Sequence, residues 1–464
     1  MGMKRSNVVA PISTAAGEFE GVSLGDKRLD RRVPAIVERL AADPSASFPE
    51  LLVTQKEQEA FYRFLRNERV SLPSLLRPHV AATVERARQW GVVVVAHDST
   101  EVSFRNAGRK ELYEIRKGSY GFGIHLSLAV GFGPVPCPLG AIAAAVHPDA
   151  KSNRGRWLEQ ALETDSRLEG HSACIHVMDR EADVYSLFAG LINADARFVV
   201  RARHDRILAP ELGQEPSLLD QLQRQAEVLA TRDVVISARR ATAKTSMPDE
   251  RKARPPRNSR KARLAIRACQ VTLPRPPRQD KSAPRTLQLN IVEARERRPP
   301  RNCEPVHWLL ATTEPISTPD DLLRVIDLYR TRWVIEEYFK ALKTGCAYES
   351  RQLEQLDTFT VALGLFIPIA WQLLLLKSAT RLPNASARTV LSASHLPLLR
   401  ALCAHNDHKL PTKPSARDVM MGIARLGGHI RQNGAPGWQV LWRGYKKILD
   451  AEMVLEATRN CAKM

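Results

Sequence analysis

The feature that most narrows the fold is a change of texture near residue 90. Three short runs of β-branched and apolar residues follow one another there: GVVVVAHDST, GIHLSLAVGF and GAIAAAVHP. No helix-length segment separates them, so they predict an antiparallel meander rather than the strand–helix alternation of a parallel sheet. The alternation begins only afterwards, with a helical stretch from Gly155 to Thr164, the buried strand ACIHVMD, a helix from Asp183 to Asn193 and the strand RFVVRAR. The expected product is one mixed α/β sheet with helices. No G-x-G-x-x-G follows the first strand, which argues against a dinucleotide site.

Three strands followed by helix, strand, helix and strand is the order of a ribonuclease-H-like sheet. A chain of 464 residues exceeds one ordinary core, so modules should flank that sheet. Residues 1–75 contain LGDKRLDRR (Leu24–Arg32) and QKEQEAFYRFLRN (Gln55–Asn67), which read as a small helical module rich in cations. Residues 76–375 should hold the sheet, with a basic, β-rich insertion at about 230–305, and residues 376–464 a helical C-terminal region. The apolar run Val361–Leu376 contains Pro368 and Gln372 and is short for a membrane span; it reads as a buried helix.

The formal net charge is +19, which favours polyanions through counterion release. Residues 239–301 alone carry 19 Lys or Arg against 5 Asp or Glu, a net +14. Within them, VTL and TLQLNIV could pair as strands. The proline-rich parts, RPPRNSRKAR and LPRPPRQDK, read either as a solvated, disordered charge run or as an arm that tracks DNA phosphates. The seven cysteines are odd in number and never form C-x-x-C, so neither a disulfide framework nor a zinc site is expected. The opening MGMKRSNVVAPIST lacks a long apolar core, so secretion is not expected either.

Asp98 follows VVVVAH and Asp179 ends CIHVMD, so two buried strands each deliver a carboxylate at their tip. Such a pair could bridge a hard cation that prefers oxygen donors. Taken singly, either aspartate reads as well as a turn former. A long helical pattern from Asp320 to about Lys343 adds a third acid. At about 100° per residue, Tyr329, Arg332, Glu336 and Lys343 fall within an arc of roughly 60°, while Val334, Ile335, Tyr338, Ala341 and Leu342 form an apolar stripe opposite. The plainer alternative for Arg332 and Glu336 is an exposed i,i+4 ion pair.

The string YRTRWVIEEYFKALKTG contains Y-x2-R-x3-E-x6-K and resembles the catalytic helix of the IS-four family of bacterial DDE transposases. HDST around Asp98 and DREAD at Asp179–Asp183 resemble that family's two aspartate motifs. LGDKR, YRFLRN (Tyr62–Asn67), RFVVR (Arg197–Arg201), WLLATTEP from Trp308 and IARLGG (Ile423–Gly428) follow in the family's order across nearly the whole chain. Ser99 stands where relatives often have threonine, and residues 380–415 match poorly.

The resemblance implies a ribonuclease-H-like DNA transposase with Asp98, Asp179 and Glu336 as a triad holding two Mg²⁺ ions, Mn²⁺ substituting. It implies that Tyr329, Arg332 and Lys343 hold terminal phosphates, that Trp308 receives a flipped base in a hairpin and that Trp333 stacks nearby. On apolar company alone, both tryptophans read as core residues. Arg201, and with them Arg28, Arg31, Arg63 and Arg66 of the end-binding module, are implied DNA contacts. Transposon-end and target DNA are the implied partners, with a homodimer assembled through residues 376–464 on a bacterial, cytoplasmic nucleoid. A ribonuclease-H-like nuclease without strand transfer, or an inactive DNA-binding relative, would share much of this pattern.

Overall fold

The computed structural model describes residues 15–461 except 106–111, 117, 148–155, 170–172, 210–215, 225–226, 237–257, 302, 380, 382–385, 388–390, 392–393, 431 and 433–435. The chain forms two compact units, one of residues 1–174 and 333–464, the other of residues 175–332.

The first unit opens with the helices α1 (Lys27–Ala42), α2 (Phe48–Leu51), α3 (Gln55–Leu65) and α4 (Leu72–Arg88). Their starts are written in the sequence: Asp26 accepts from the amide of Arg28 at 2.8 Å, and Thr54 with Glu57 forms a reciprocal capping box at the head of α3. Leu29, Val33, Ile36, Val37 and Leu40 recur at helical spacing on α1 and are buried, which is the amphipathic pattern of a helix laid on a core.

The meander follows as expected, with β1 (Val93–Arg105), β3 (Ser119–Gly131) and β4 (Cys137–His147) antiparallel in sequence. A short strand, β2 (Tyr113–Arg116), had no clear sequence signal; it pairs with residues 119–121 of β3, leaving residues 123–131 of the same edge to β4. Helix α5 (Arg156–Arg167) closes this part.

The C-terminal share of the first unit comprises α9 (Trp333–Lys340), α10 (Leu356–Ala379), α11 (His395–His405), α12 (Ala416–Leu426) and α13 (Trp438–Cys461). Helix α10 has the length and apolarity of a membrane span, yet 94% of its apolar window is buried within the protein. It packs against α4 and β4, and Trp371 donates its indole N–H to the carbonyl of Pro138 at 3.0 Å. A helix apolar all round is a core helix when protein surrounds it. Helices α11–α13 enclose a separate cluster that includes Leu399, Met420, Ile423, Leu441 and Ile448.

The second unit holds β5 (Cys174–Met178), α6 (Tyr185–Asn193), β6 (Phe198–Arg201), α7 (Leu218–Arg224), β7 (Ala230–Ile236), β8 (Arg260–Pro274), β9 (Thr286–Glu296), β10 (His307–Thr312) and α8 (Pro319–Thr331). β5 and β6 are parallel across the α6 crossover. From β6 the pairing continues antiparallel through β10, β9, β8 and β7. VTL and TLQLNIV do pair, in the register Val271↔Leu289.

Three expectations need correction. LPRPPRQDK is not a disordered run: it closes the β8–β9 hairpin, where Arg275 donates its amide to Arg285 at 2.8 Å and Gln279 to Pro276 at 3.0 Å. The prolines sit at the strand end and in the turn, where a missing N–H costs little. The basic stretch 239–257, including the start of RPPRNSRKAR, lies outside the described residues. The single helix from Asp320 to Lys343 is also divided. α8 ends at Thr331, Arg332 forms a turn, α9 follows, and Ala341–Gly345 form a π-helical turn. Finally, Trp333 is 49% exposed rather than a core residue.

Candidate active site and DNA interface

In the first unit, Val93, Val94, Val95, Ala96 and His97 of β1 are all at 0% exposure. Asp98 is half-buried but is not at a strand tip as expected: it lies mid-strand, paired with Leu126 of β3, and β1 continues to Arg105 with Val102 and Phe104 buried again beyond it. The carboxylate stands where a run buried on both faces gives way to an alternating stretch. Asp98 accepts from the amide of Ser99 at 2.9 Å, which fixes its orientation locally.

Glu336 is presented by α9, which packs against β1. Val334, Ile335, Tyr338, Ala341 and Leu342 are buried, as the stripe required, and Glu336 remains half-buried. Tyr338 donates its hydroxyl to Ile367 of α10 at 3.0 Å and so anchors the helix. Past Lys340 the bonding changes: the amide of Cys346 reaches the carbonyl of Ala341, five residues back, at 2.8 Å. Each residue in such a turn advances by a smaller rotation than in an α-helix, so Lys343 does not keep the α-helical phase assumed from the sequence. Its ammonium donates to the carbonyl of Glu101 on β1 and lies 3.4 Å from the carboxylate of Glu349. Trp333, at the head of α9, has the ammonium of Lys340 5.7 Å from its ring.

In the second unit, Ile175, His176, Val177 and Met178 are at 0% exposure and Asp179 emerges half-buried. Asp179 caps a short 3₁₀ turn, accepting from the amide of Glu181 at 2.8 Å. It is therefore both a strand-tip carboxylate and a turn former. Asp183, the last residue of DREAD, is buried and accepts from the amides of Arg203 and His204 and from the guanidinium of Arg206, the last at 2.5 Å. Arg201 ends β6 and donates to the carbonyl of His307 at 2.9 Å. Trp308 is half-buried and meets Tyr329 edge-on, with ring centroids 5.4 Å apart. Tyr329 and Arg332 are buried, at 6% and 8% exposure.

The implied end contacts Arg28, Arg31, Arg63 and Arg66 are all exposed, the first two on α1, Arg63 in the last turn of α3 and Arg66 as its C-cap. Two buried polar clusters flank these helices, one at the turn before α1 and one at the loop between α1 and α2. Glu18, 2% exposed, receives a bidentate Arg86 at 2.9 and 3.1 Å and the ring N–H of His79 at 2.5 Å. Arg351, 3% exposed, donates to the carbonyls of Pro44, Ala46 and Cys346 and lies over the rings of Phe48 and Phe366. Sequence reasoning missed these partners, as it missed Glu349 beside Lys343. The first cluster joins residues 61 and 68 positions apart, and Glu349 follows a turn with no periodic signature.

Comparison with known families agrees with this arrangement. A Transposase DNA-binding model matches residues 13–70, which include α1–α3 with their exposed arginines. A Transposase DDE domain model matches residues 90–369, from just before β1 into α10. The matched region carries the meander followed by alternating helix and strand of a ribonuclease-H-like core. DNA is accordingly a partner of this protein, its chemistry is that of a polynucleotidyl transferase or endonuclease, and divalent metal is the usual requirement of its relatives. With its DDE domain matched over more than half of its length, the chain belongs to the DDE transposase family.

Proposed function

We propose that this is a cut-and-paste transposase of the IS-four subfamily, resembling the Tn-five transposase, with Asp98, Asp179 and Glu336 as its metal-binding triad. The observation that carries the reading is the bond from Lys343 to Glu101, which ties the Y-x2-R-x3-E-x6-K segment to the strand of Asp98. The donor set fits a hard cation. Each member is a half-buried carboxylate, and two of them are oriented by a backbone amide. Two Mg²⁺ ions, when bound, supply activation of the attacking oxygen and stabilisation of the leaving oxygen for an in-line displacement.

The chain's own residues position the DNA. Arg28, Arg31, Arg63 and Arg66 bind the terminal repeat through phosphates; Arg332, Lys343 and Tyr329 hold the strand at the cut; Arg201 supports it. Trp308 receives a base displaced as the end closes into a hairpin, and exposed Trp333 offers a further stacking face. One site then serves first-strand cleavage, hairpin formation, hairpin opening and joining of the 3′ ends to target. Exposed Met453, Val454 and Leu455 near the end of α13 support a homodimer built through residues 376–464. The reading places the protein on a bacterial nucleoid.

The test is cleavage and strand transfer with a duplex carrying the inverted repeat that borders the gene, in Mg²⁺ or Mn²⁺. Asp98→Asn, Asp179→Asn and Glu336→Gln should each abolish both reactions while leaving end binding in EDTA intact. Cleavage surviving any of the three refutes the triad. Cleavage without joining to target DNA would leave a nuclease.

A further inference from the structure

Lys343 does not face solvent alone. Its ammonium is 3.4 Å from Oε1 of Glu349, longer than the roughly 2.7–2.9 Å of a tight charge-assisted bond, and the two side chains are 24% and 33% exposed. The same oxygen of Glu349 accepts from the amide of Ser103 on β1 at 3.2 Å. The ion pair can therefore open toward solvent while the carboxylate keeps a second partner. The turn carrying Glu349 is held firmly: Ala347 adopts a left-handed conformation at φ 46°, buried Tyr348 donates to Phe359 at 2.6 Å, and buried Arg351 clamps Cys346. A non-glycine residue in that conformation persists only where its surroundings enforce it. The carboxylate is thus built into place rather than drifting there.

We propose that Glu349 is a stand-in for a DNA phosphate: in the DNA-free protein its carboxylate occupies the ammonium of Lys343, and a phosphate at the transposon end displaces it. This rests on the reading of Lys343 as a phosphate clamp. A carboxylate and a phosphodiester are both oxygen-acceptor monoanions, so one can take the place of the other without a new donor. The consequence is selectivity. A chain with a net charge of +19 binds any duplex by counterion release, and a masked lysine adds nothing to that background. It contributes only where a phosphate is delivered accurately enough to win the exchange.

The experiment measures binding of a fluorescent duplex bearing the gene's bordering inverted repeat, in EDTA, over a salt series. The wild type, Glu349→Gln, Lys343→Ala and the double variant are compared, with thermal melts as a folding control. Removing an exposed partner of this kind should tighten binding by about two- to fivefold. The slope of log affinity against log salt should steepen by up to about 0.9, one duplex phosphate newly neutralised from solvent. Both changes should vanish when Lys343→Ala is also present, and Glu349→Ala should move binding in the same direction as Glu349→Gln. Weaker binding by Glu349→Gln, an unchanged slope, or strict additivity of the two substitutions would overturn the proposal. If Lys343→Ala costs the same in both backgrounds, only the role of Glu349 fails; if it costs nothing in either, the clamp fails with it.

Discussion

Replacing Glu18 by Gln should destabilise the first unit by about 3 kcal/mol at neutral pH, a figure reached by two routes. Burial alone would raise the Glu18 carboxyl, but the hydrogen bond from His79 and the charge and hydrogen bonds of the Arg86 guanidinium outweigh it and hold the group at about 2, from an ordinary 4.5. That difference corresponds to about 3 kcal/mol of linked stability. Independently, removing one member of a buried ion pair typically costs about 3–5 kcal/mol, because the other charge is stranded; here it is Arg86, whose side chain is 16% exposed. His79 does not rescue it. Burial lowers its pKa, and its Nε2 accepts from the amide of Ala141 at 3.0 Å, which leaves the Nδ1 proton to donate to Glu18. A carboxyl lowered by folding stabilises above its unfolded value and loses that contribution as pH falls through its folded one. The window is therefore pH 4.5 down to about 2. Differential scanning calorimetry should show a melting point lower by roughly 6–12 °C at pH 7, with the gap between wild type and Glu18→Gln closing toward pH 2. A loss under about 1 kcal/mol at pH 7, or a gap that stays open in acid, would refute the linkage between Glu18, Arg86 and stability.

Three further outcomes are expected. His125 is buried beside Trp157, both ring nitrogens lack a hydrogen-bond partner among the described residues, and burial, reinforced by Arg156, pushes its pKa down to about 4. It should weaken the wild type by about 3 kcal/mol as pH falls from 6.5 to 4, whereas His125→Phe should show a urea midpoint less sensitive to pH over that range. Gly444→Ala should loosen the packing of α12 on α13 at a cost of about 1–3 kcal/mol or more, because a Cβ there would lie 1.7 Å from the carbonyl oxygen of Ile423; faster hydrogen exchange confined to these helices is the readout. If the proposed homodimer forms through this region, Met453→Glu should reduce the mass of the end-DNA complex in analytical ultracentrifugation from two protomers to one, since it places a charge on an exposed apolar turn.

The sheet was legible because Val93–Ala96 and Ile175–Met178 are buried on both faces, and such strands read as continuous apolar runs that stop at a polar residue. Asp179 was legible for the same reason, as the first position after β5 ends, whereas Asp98 is only the first half-buried position after its run, and β1 continues past it to Arg105. The apolar stripe of α9 was correctly placed, but the turn at Arg332 and the π-turn at Ala341–Gly345 were not. Both shift backbone bonding by a single residue, and neither disturbs an apolar period enough to be seen. Trp333 misled because Val334 and Ile335 beside it are buried while it is not; neighbours in sequence point to different sides of a helix. Partners such as Glu18 with Arg86 leave no local pattern, since each alone resembles an ordinary surface charge.

On the proposed reading, Arg351 bears on how such an enzyme could be re-addressed to a different terminal repeat. Its guanidinium fastens the loop at Pro44 and Ala46, inside the DNA-binding match, to Cys346, just beyond the π-turn. The helices of the DNA-binding match are therefore not a detachable head on a tether. A chimaera that imported residues 13–70 from a relative would have to bring a loop whose carbonyls and Phe48 ring still meet this guanidinium. Otherwise the donor helices would dock askew, and the hybrid would grip its new repeat without presenting the scissile bond correctly.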